Sequence, residues 1–187
     1  SSAASDVYKR QIMGKQRWMA PEIVMGKNDP DKNSDRFSLA VVLFRLLFIN
    51  HPLEGRYSTP PCMTKEAEQK YYGSAPIFVY DPSTTENRPI PGTDHNLKLF
   101  WNVYPDYVKE AFIRAFSHDV MMKQKPRILE KEWMDIFIRL RTEIGRCPYC
   151  GQETFYTFKG SHDIPCMECG KKIPITNALQ IKNQILP

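Results

Sequence analysis

Four of the five cysteines fall into two pairs of identical spacing, Cys147-Pro148-Tyr149-Cys150-Gly151 and Cys166-Met167-Glu168-Cys169-Gly170, separated by 15 residues. Thiolates are soft ligands. Two of them from one tight turn can face a single ion, and a glycine after each pair lets the backbone fold back behind the site. Four sulfur ligands fill a tetrahedron and leave no position for a reacting water. The chemistry expected of Cys147, Cys150, Cys166 and Cys169 is therefore structural Zn2+ binding, not catalysis. Such pairs suit a reducing compartment better than disulfides do, so a cytoplasmic location is expected. Cys62 stands alone as a buried or loop thiol. His51, His95, His118 and His162 form no cluster in the sequence and read as surface or turn residues.

About forty residues surround the cysteines, too few to bury much of a core, so the metal would replace one. Residues 145–187 read as a small β zinc ribbon, with Thr154–Gly160 as a hairpin arm and Ala178–Lys182 alternating as the start of a further β segment. The five cations of this stretch (Arg146, Lys159, Lys171, Lys172, Lys182) are balanced by Glu153, Asp163, Glu168 and the two negative charges of a zinc tetrathiolate. The electrostatic footprint of a nucleic-acid binder is missing, and a protein partner is the expected one.

The chain before the ribbon reads as helical. A short helix is predicted near Pro21–Val24, and a long one is predicted from Ser34 or Asp35, either of which could cap it, to about Ile49, where Asn50-His51-Pro52 stops it. Residues 53–103 are rich in Pro, Gly and Thr; one helix (Thr64–Tyr72) and one extended piece (Ile77–Tyr80) are predicted there. Pro105 starts a helix whose Val108, Ala111, Phe112, Ala115 and Phe116 share a face. A last helix covers about Leu129–Ile144, with Gly145 as its C-cap. The longest apolar run, Leu39–Ile49, contains Arg45 and is short of the roughly 18–20 residues that span a bilayer, so no membrane is expected within this segment. The formal charge of +5 is too small to imply a nucleic-acid partner.

Met19-Ala20-Pro21-Glu22 resembles the A-P-E motif that closes the activation segment of protein kinases. Asp35-Arg36-Phe37-Ser38-Leu39-Ala40 is similar to the D-x-W-S-x-G start of their central helix, with Phe37 for tryptophan and Ala40 for glycine. Lys125-Pro126-Arg127 resembles the segment that supplies the arginine partner of the A-P-E glutamate. The resemblance implies a partial kinase C-terminal lobe over 12–144, mainly α, of the bacterial serine/threonine type. It implies a buried Glu22–Arg127 ion pair and an Asp35 that steadies the catalytic loop. Gly14, Lys15, Gln16, Arg17 and Trp18 would form the loop that receives a protein substrate. Lys15 stands where the family has threonine, which opens the possibility that it meets an acidic substrate or the catalytic aspartate.

The sequence has no glycine-rich phosphate loop, V-A-I-K strand, H-R-D loop or D-F-G. Catalytic residues are thus absent, and ATP and Mg2+ belong to a complete parent only. Residues 1–11, Ser-Ser-Ala-Ala-Ser-Asp-Val-Tyr-Lys-Arg-Gln, resemble the in-frame translation of a sequencing-library adapter. On that reading they form a disordered artefact that marks a cut in the DNA, and this stretch alone is inactive. A pseudokinase scaffold and a zinc-ribbon interaction module are the alternatives.

Overall fold

The computed structural model describes residues 15–60, 62–123, 125–156 and 164–174. The adapter-like residues, Gly14, His162, the arm residues 157–160 and the strand expected at 178–182 lie outside them. The described residues form seven α-helices and two small two-stranded antiparallel sheets. They divide into two compact units. One holds the chain up to Asn102 together with Glu110–Leu129, and the other holds Val103–Lys109 and the chain from Glu130 onward. By contact, the last helix therefore groups with the cysteine module, whereas the sequence reading drew its boundary at 144/145.

In the first unit, α1 (Pro21–Val24) starts on a proline, whose missing N–H costs a helix nothing at that position. Helix α2 (Lys32–Phe48) begins earlier than expected, because its cap is Asp31 and not Ser34 or Asp35. The Asp31 carboxylate accepts from the Ser34 N–H at 2.6 Å, and Ser34 Oγ accepts from the Asp31 N–H at 2.8 Å. This reciprocal box satisfies two donors that a helix start otherwise leaves orphaned. The helix ends at Ile49, which takes a left-handed conformation at φ 59° just before the predicted stop.

Helix α3 (Lys65–Gln69) is capped by Thr64 and runs on into a π turn over Lys70–Ser74. Helices α4 (His95–Val103) and α6 (His118–Met121) escaped the sequence reading. The extended piece expected at 77–80 is not a strand. The Val79 N–H donates to the Pro52 carbonyl, and Phe78 enters the core.

That core is aromatic. Phe37, Phe44 and Phe48 from α2 meet Phe78 and, from and after α5 (Asp106–Ala115), Phe112 and Phe116; all six are buried. Phe44 lies edge-on to Phe78 and Phe112 at 5.6 and 5.3 Å between centroids. Each buried ring is worth roughly 1.5–3 kcal/mol of transfer free energy, and edge-to-face pairs add about 0.5–1.5 kcal/mol each.

The Pro-, Gly- and Thr-rich middle is organised differently, around the buried amide of Asn87. Its Nδ2 donates to the carbonyls of Leu53 and Ile77, and its Oδ1 accepts from the N–H groups of Tyr57 and Ser58. Gly55 packs so closely on the Asn87 backbone that a Cβ there would overlap the carbonyl. One amide thus supplies the hydrogen bonds that a loop without a ladder would lack.

In the second unit, α7 (Glu130–Thr142) buries Trp133 and Leu140. Near its end, Glu143 accepts from Tyr107 Oη at 2.9 Å and from Arg139 Nε at 3.0 Å, and the Arg139 guanidinium lies 3.8 Å from the centre of the Tyr107 ring. Burial and the Glu143 carboxylate hold the Tyr107 hydroxyl well above its usual range. Gly145 is not a helix cap: it sits in strand β1 (Ile144–Arg146), which pairs with β2 (Glu153–Phe155). Glycine is required there because a Cβ would overlap the ring of Tyr156. Strand β3 (Ile164–Pro165) pairs with β4 (Lys172–Ile173).

Candidate functional site

Each cysteine pair sits at the turn of one of these two-stranded sheets, and the two turns are built alike. The Cys147 N–H donates to the Gln152 carbonyl and the Gly151 N–H to the Cys147 carbonyl; at the second turn the Cys166 N–H donates to Lys171 and the Gly170 N–H to Cys166, all at 2.8–3.0 Å. Gly151 and Gly170 both have positive φ, 75° and 67°, which only glycine adopts without strain. This is the backbone expected of the C-x-x-C-G spacing. Behind the turns, Tyr156, Ile164, Ile173, Cys147 and Cys166 form a small buried cluster.

The sulfur atoms of Cys147, Cys150, Cys166 and Cys169 all lie within 4.8 Å of one another. Cys147 and Cys169 are 3.8 Å apart, and Cys150 and Cys166 are 3.7 Å apart. A tetrahedron with Zn–S bonds of about 2.3 Å has S···S edges of about 3.8 Å. The spacing and the donor set both fit that ion, so these four cysteines could hold zinc. The thiols of Cys147 and Cys150 are pushed in opposite directions. Burial opposes ionisation of Cys147, but N–H groups of its turn and neighbouring thiols bring it down to about 7. At Cys150 the Gln152 N–H favours the thiolate, yet burial and the other thiols drive it up to about 12. A dication held by the four cysteines would take the place of those protons. Cys62 is exposed and free.

The first unit brings Glu22 and Arg127 together across 105 residues. Two hydrogen bonds of 2.9 and 2.8 Å join the guanidinium fork to the two carboxylate oxygens, and both residues are below a tenth exposed. Arg127 also donates to the Asn33 carbonyl at 2.9 Å and lies over the Phe37 ring. Lys123 places a second cation 3.1 Å from Glu22. Burial raises the carboxyl pKa of Glu22, but the Arg127 hydrogen bonds, its own N–H and Lys123 outweigh it and hold the group below its usual range. Asp35 does not join this cluster; its side chain is exposed.

Lys15, Gln16, Arg17 and Trp18 form a short 3-10 turn fixed to α2 and to the turn after it. Ser38 Oγ donates to the Trp18 carbonyl at 2.8 Å. His51 reaches the Arg17 carbonyl with Nε2 at 2.7 Å, while the Leu53 N–H donates to its Nδ1 at 3.2 Å, which fixes the neutral Nε2–H tautomer. His51 is not a surface residue: its side chain is 0% exposed. The Arg17 guanidinium pairs with Glu54 at 2.7 Å, and Glu54 also accepts from Tyr72 Oη at 2.7 Å. Beside this network an open cleft of about 580 Å³ is lined by Lys15, Arg17, Glu54, Ser58, Thr59 and Tyr72, among others. Lys15 is exposed and makes no ion pair with the described residues. Sequence reasoning missed His51, Glu54, Ser38 and Asn87. The signals were the His-Pro pair at the helix stop, read as a terminator with a surface or turn histidine, and Ser38, read only as part of the helix-start motif.

No helix among the described residues is long and apolar enough to cross a membrane. The chain is 27% identical over 84 residues to the methionine--tRNA ligase of Nanoarchaeum equitans (strain Kin4-M), a stretch that is 45% of this chain. It spans about a tenth of that protein's length, 10%. No family model matches the chain, and no solved structure matches it.

Proposed function

We propose that this chain is part of a protein serine/threonine kinase, running from the end of the activation segment through the C-terminal lobe and into a structural zinc ribbon. The complete parent would transfer the ATP γ-phosphate to a protein hydroxyl with Mg2+. The supporting observation is the buried, bidentate Glu22–Arg127 pair, which joins Met19-Ala20-Pro21-Glu22 to a segment more than a hundred residues later. Burying two charges is costly unless their geometry is good, so such a pair at such a separation is not an incidental surface contact. The loop of Lys15–Trp18 beside an open cleft fits a substrate-receiving role in that scheme. None of the described residues would hold ATP or Mg2+ in this reading.

The test is the gene of the complete parent, followed by expression of its product. Intact H-R-D and D-F-G motifs together with ATP-dependent phosphorylation of protein serine or threonine are expected. An upstream sequence without them would replace this reading with a pseudokinase scaffold. A second role, protein recognition by the ribbon, is favoured by Tyr149 and Met167, which stand exposed between the cysteines of the two turns. In this second reading zinc is structural and the partner is a protein, not a nucleic acid.

A further inference from the structure

The backbone carbonyl and the guanidinium of Arg17 are held by a single turn, His51–Glu54. The carbonyl is taken by His51 from inside the core, and the guanidinium by Glu54 at the edge of the cleft. Glu54 is itself fixed by Tyr72, which also lines the cleft. The next carbonyl, that of Trp18, is held by Ser38 from α2. The carbonyls of two successive loop residues are therefore both tied to side chains of the same unit. A protonated imidazole could still donate from Nε2, but its Nδ1–H would then face the Leu53 N–H donor at 3.2 Å, and the turn would open.

We propose that His51 is the positioning residue of the cleft, holding the Lys15–Trp18 loop in the one arrangement that presents Lys15 and Arg17 to an extended peptide. The peptide part of this assignment rests on the kinase reading, while the loop-holding part rests on the geometry alone. His51 faces Arg17 from the loop, Arg45 from α2, Glu54 from its own turn and Tyr72 from the π turn. Burial holds the imidazole down at about 4, with the two arginines acting in the same direction and Glu54 against them. The ring is therefore neutral, and the clamp closed, throughout the physiological range.

The experiment uses the full 187-residue chain and His51→Phe and His51→Gln variants, with amide exchange at Trp18 and Met19 followed by NMR from pH 7 down to 3.5. His51→Phe keeps the ring and loses the donor; His51→Gln keeps an N–H near the Nε2 position. Exchange at Trp18 and Met19 should speed up at least tenfold in the Phe variant and recover in the Gln variant. The wild type should show the same loosening with a midpoint near 4, and the Gln variant should not. Unchanged loop exchange in the Phe variant would overturn the proposal. So would loosening that spreads equally to Phe44 and Phe112, which marks a general structural role. If the Phe variant does not fold, the acid limb of the wild type against His51→Gln decides alone.

In the complete parent, the Phe substitution should raise the KM for a degenerate serine/threonine peptide library several-fold and leave kcat and the KM for ATP unchanged. An unchanged peptide KM would remove the peptide part of the assignment. A parent that transfers no phosphate at all would refute the kinase reading and leave the exchange result standing.

Discussion

The first unit buries phenylalanines from three segments far apart in the chain, and a buried ion pair joins residues 22 and 127. In the second unit, the described residues of Ile144–Pro174 hold a hydrophobic cluster of one tyrosine, two isoleucines and two cysteines beside two short hairpins. The first can lose any single contact and keep a core. The second cannot, because it has too little apolar surface to repay the entropy of ordering its chain. The difference is one of where the free energy sits: spread over many side chains in one case, and concentrated on four sulfurs in the other.

The strongest way to break the comparison is to remove metal. Structural zinc contributes roughly 10–16 kcal/mol in small zinc-finger peptides. Chelation should abolish the dispersed amide signals of 144–156 and 164–174, and leave those of Phe37, Phe44 and Phe112 in place. Cobalt should give the absorbance of a tetrathiolate, and Cys166→Ser should weaken it. Retention of the hairpin signals after chelation would show that the small apolar cluster suffices.

Next in size is Arg127→Ala, which leaves Glu22 buried without its fork. A loss of about 3–5 kcal/mol is expected for one partner of a buried pair. Urea unfolding monitored in the first unit should detect it, while the cobalt spectrum stays unchanged. Replacing both residues with apolar side chains of similar volume should recover most of the loss, since the cost lies in the orphaned charge.

Much of this contrast was legible in the sequence. The cysteine spacing carries its own geometry, because two ligands in a tight turn need the same few residues wherever they occur. Pro21, Glu22 and Arg127 were legible through motif resemblance. The middle segment was not. Asn87 acts through hydrogen bonds to backbone groups 10–34 positions away and Gly55 through its close approach to the Asn87 backbone, and neither periodicity nor composition encodes such pairs. His51 failed for a related reason: a polar ring after a helix looks solvated until the carbonyl that receives it is known. Gly145 was misread because both a helix cap and a close ring contact demand the absence of a side chain.

A pH titration sharpens the first unit's side of the comparison. An unfolded imidazole takes up its proton near pH 6.5, whereas folded His51 does so near 4. Stability from this group is full above about 6.5, is lost as the pH falls through that window, and is level below about 4. The shift corresponds to about 3 kcal/mol. Urea midpoints of wild type and His51→Gln should therefore converge between pH 7 and pH 4. Parallel pH curves would mean that another group carries the acid sensitivity.

The smallest effect separates two aspartates four residues apart. Asp31 accepts the Ser34 N–H and closes the capping box, while the Asp35 side chain is exposed. Asp31→Ala should lower the melting temperature of the first unit by about 2–4 °C, as loss of an N-cap does in a chain of this size. Asp35→Ala should leave the melting temperature alone. If the kinase reading holds, the order reverses for activity in the complete parent: Asp35 then has a catalytic loop to steady, and its loss reduces phosphoryl transfer while Asp31→Ala does not. An Asp35→Ala parent with full activity would detach Asp35 from the Glu22–Arg127 framework. It would leave the helix start explained by its capping box alone.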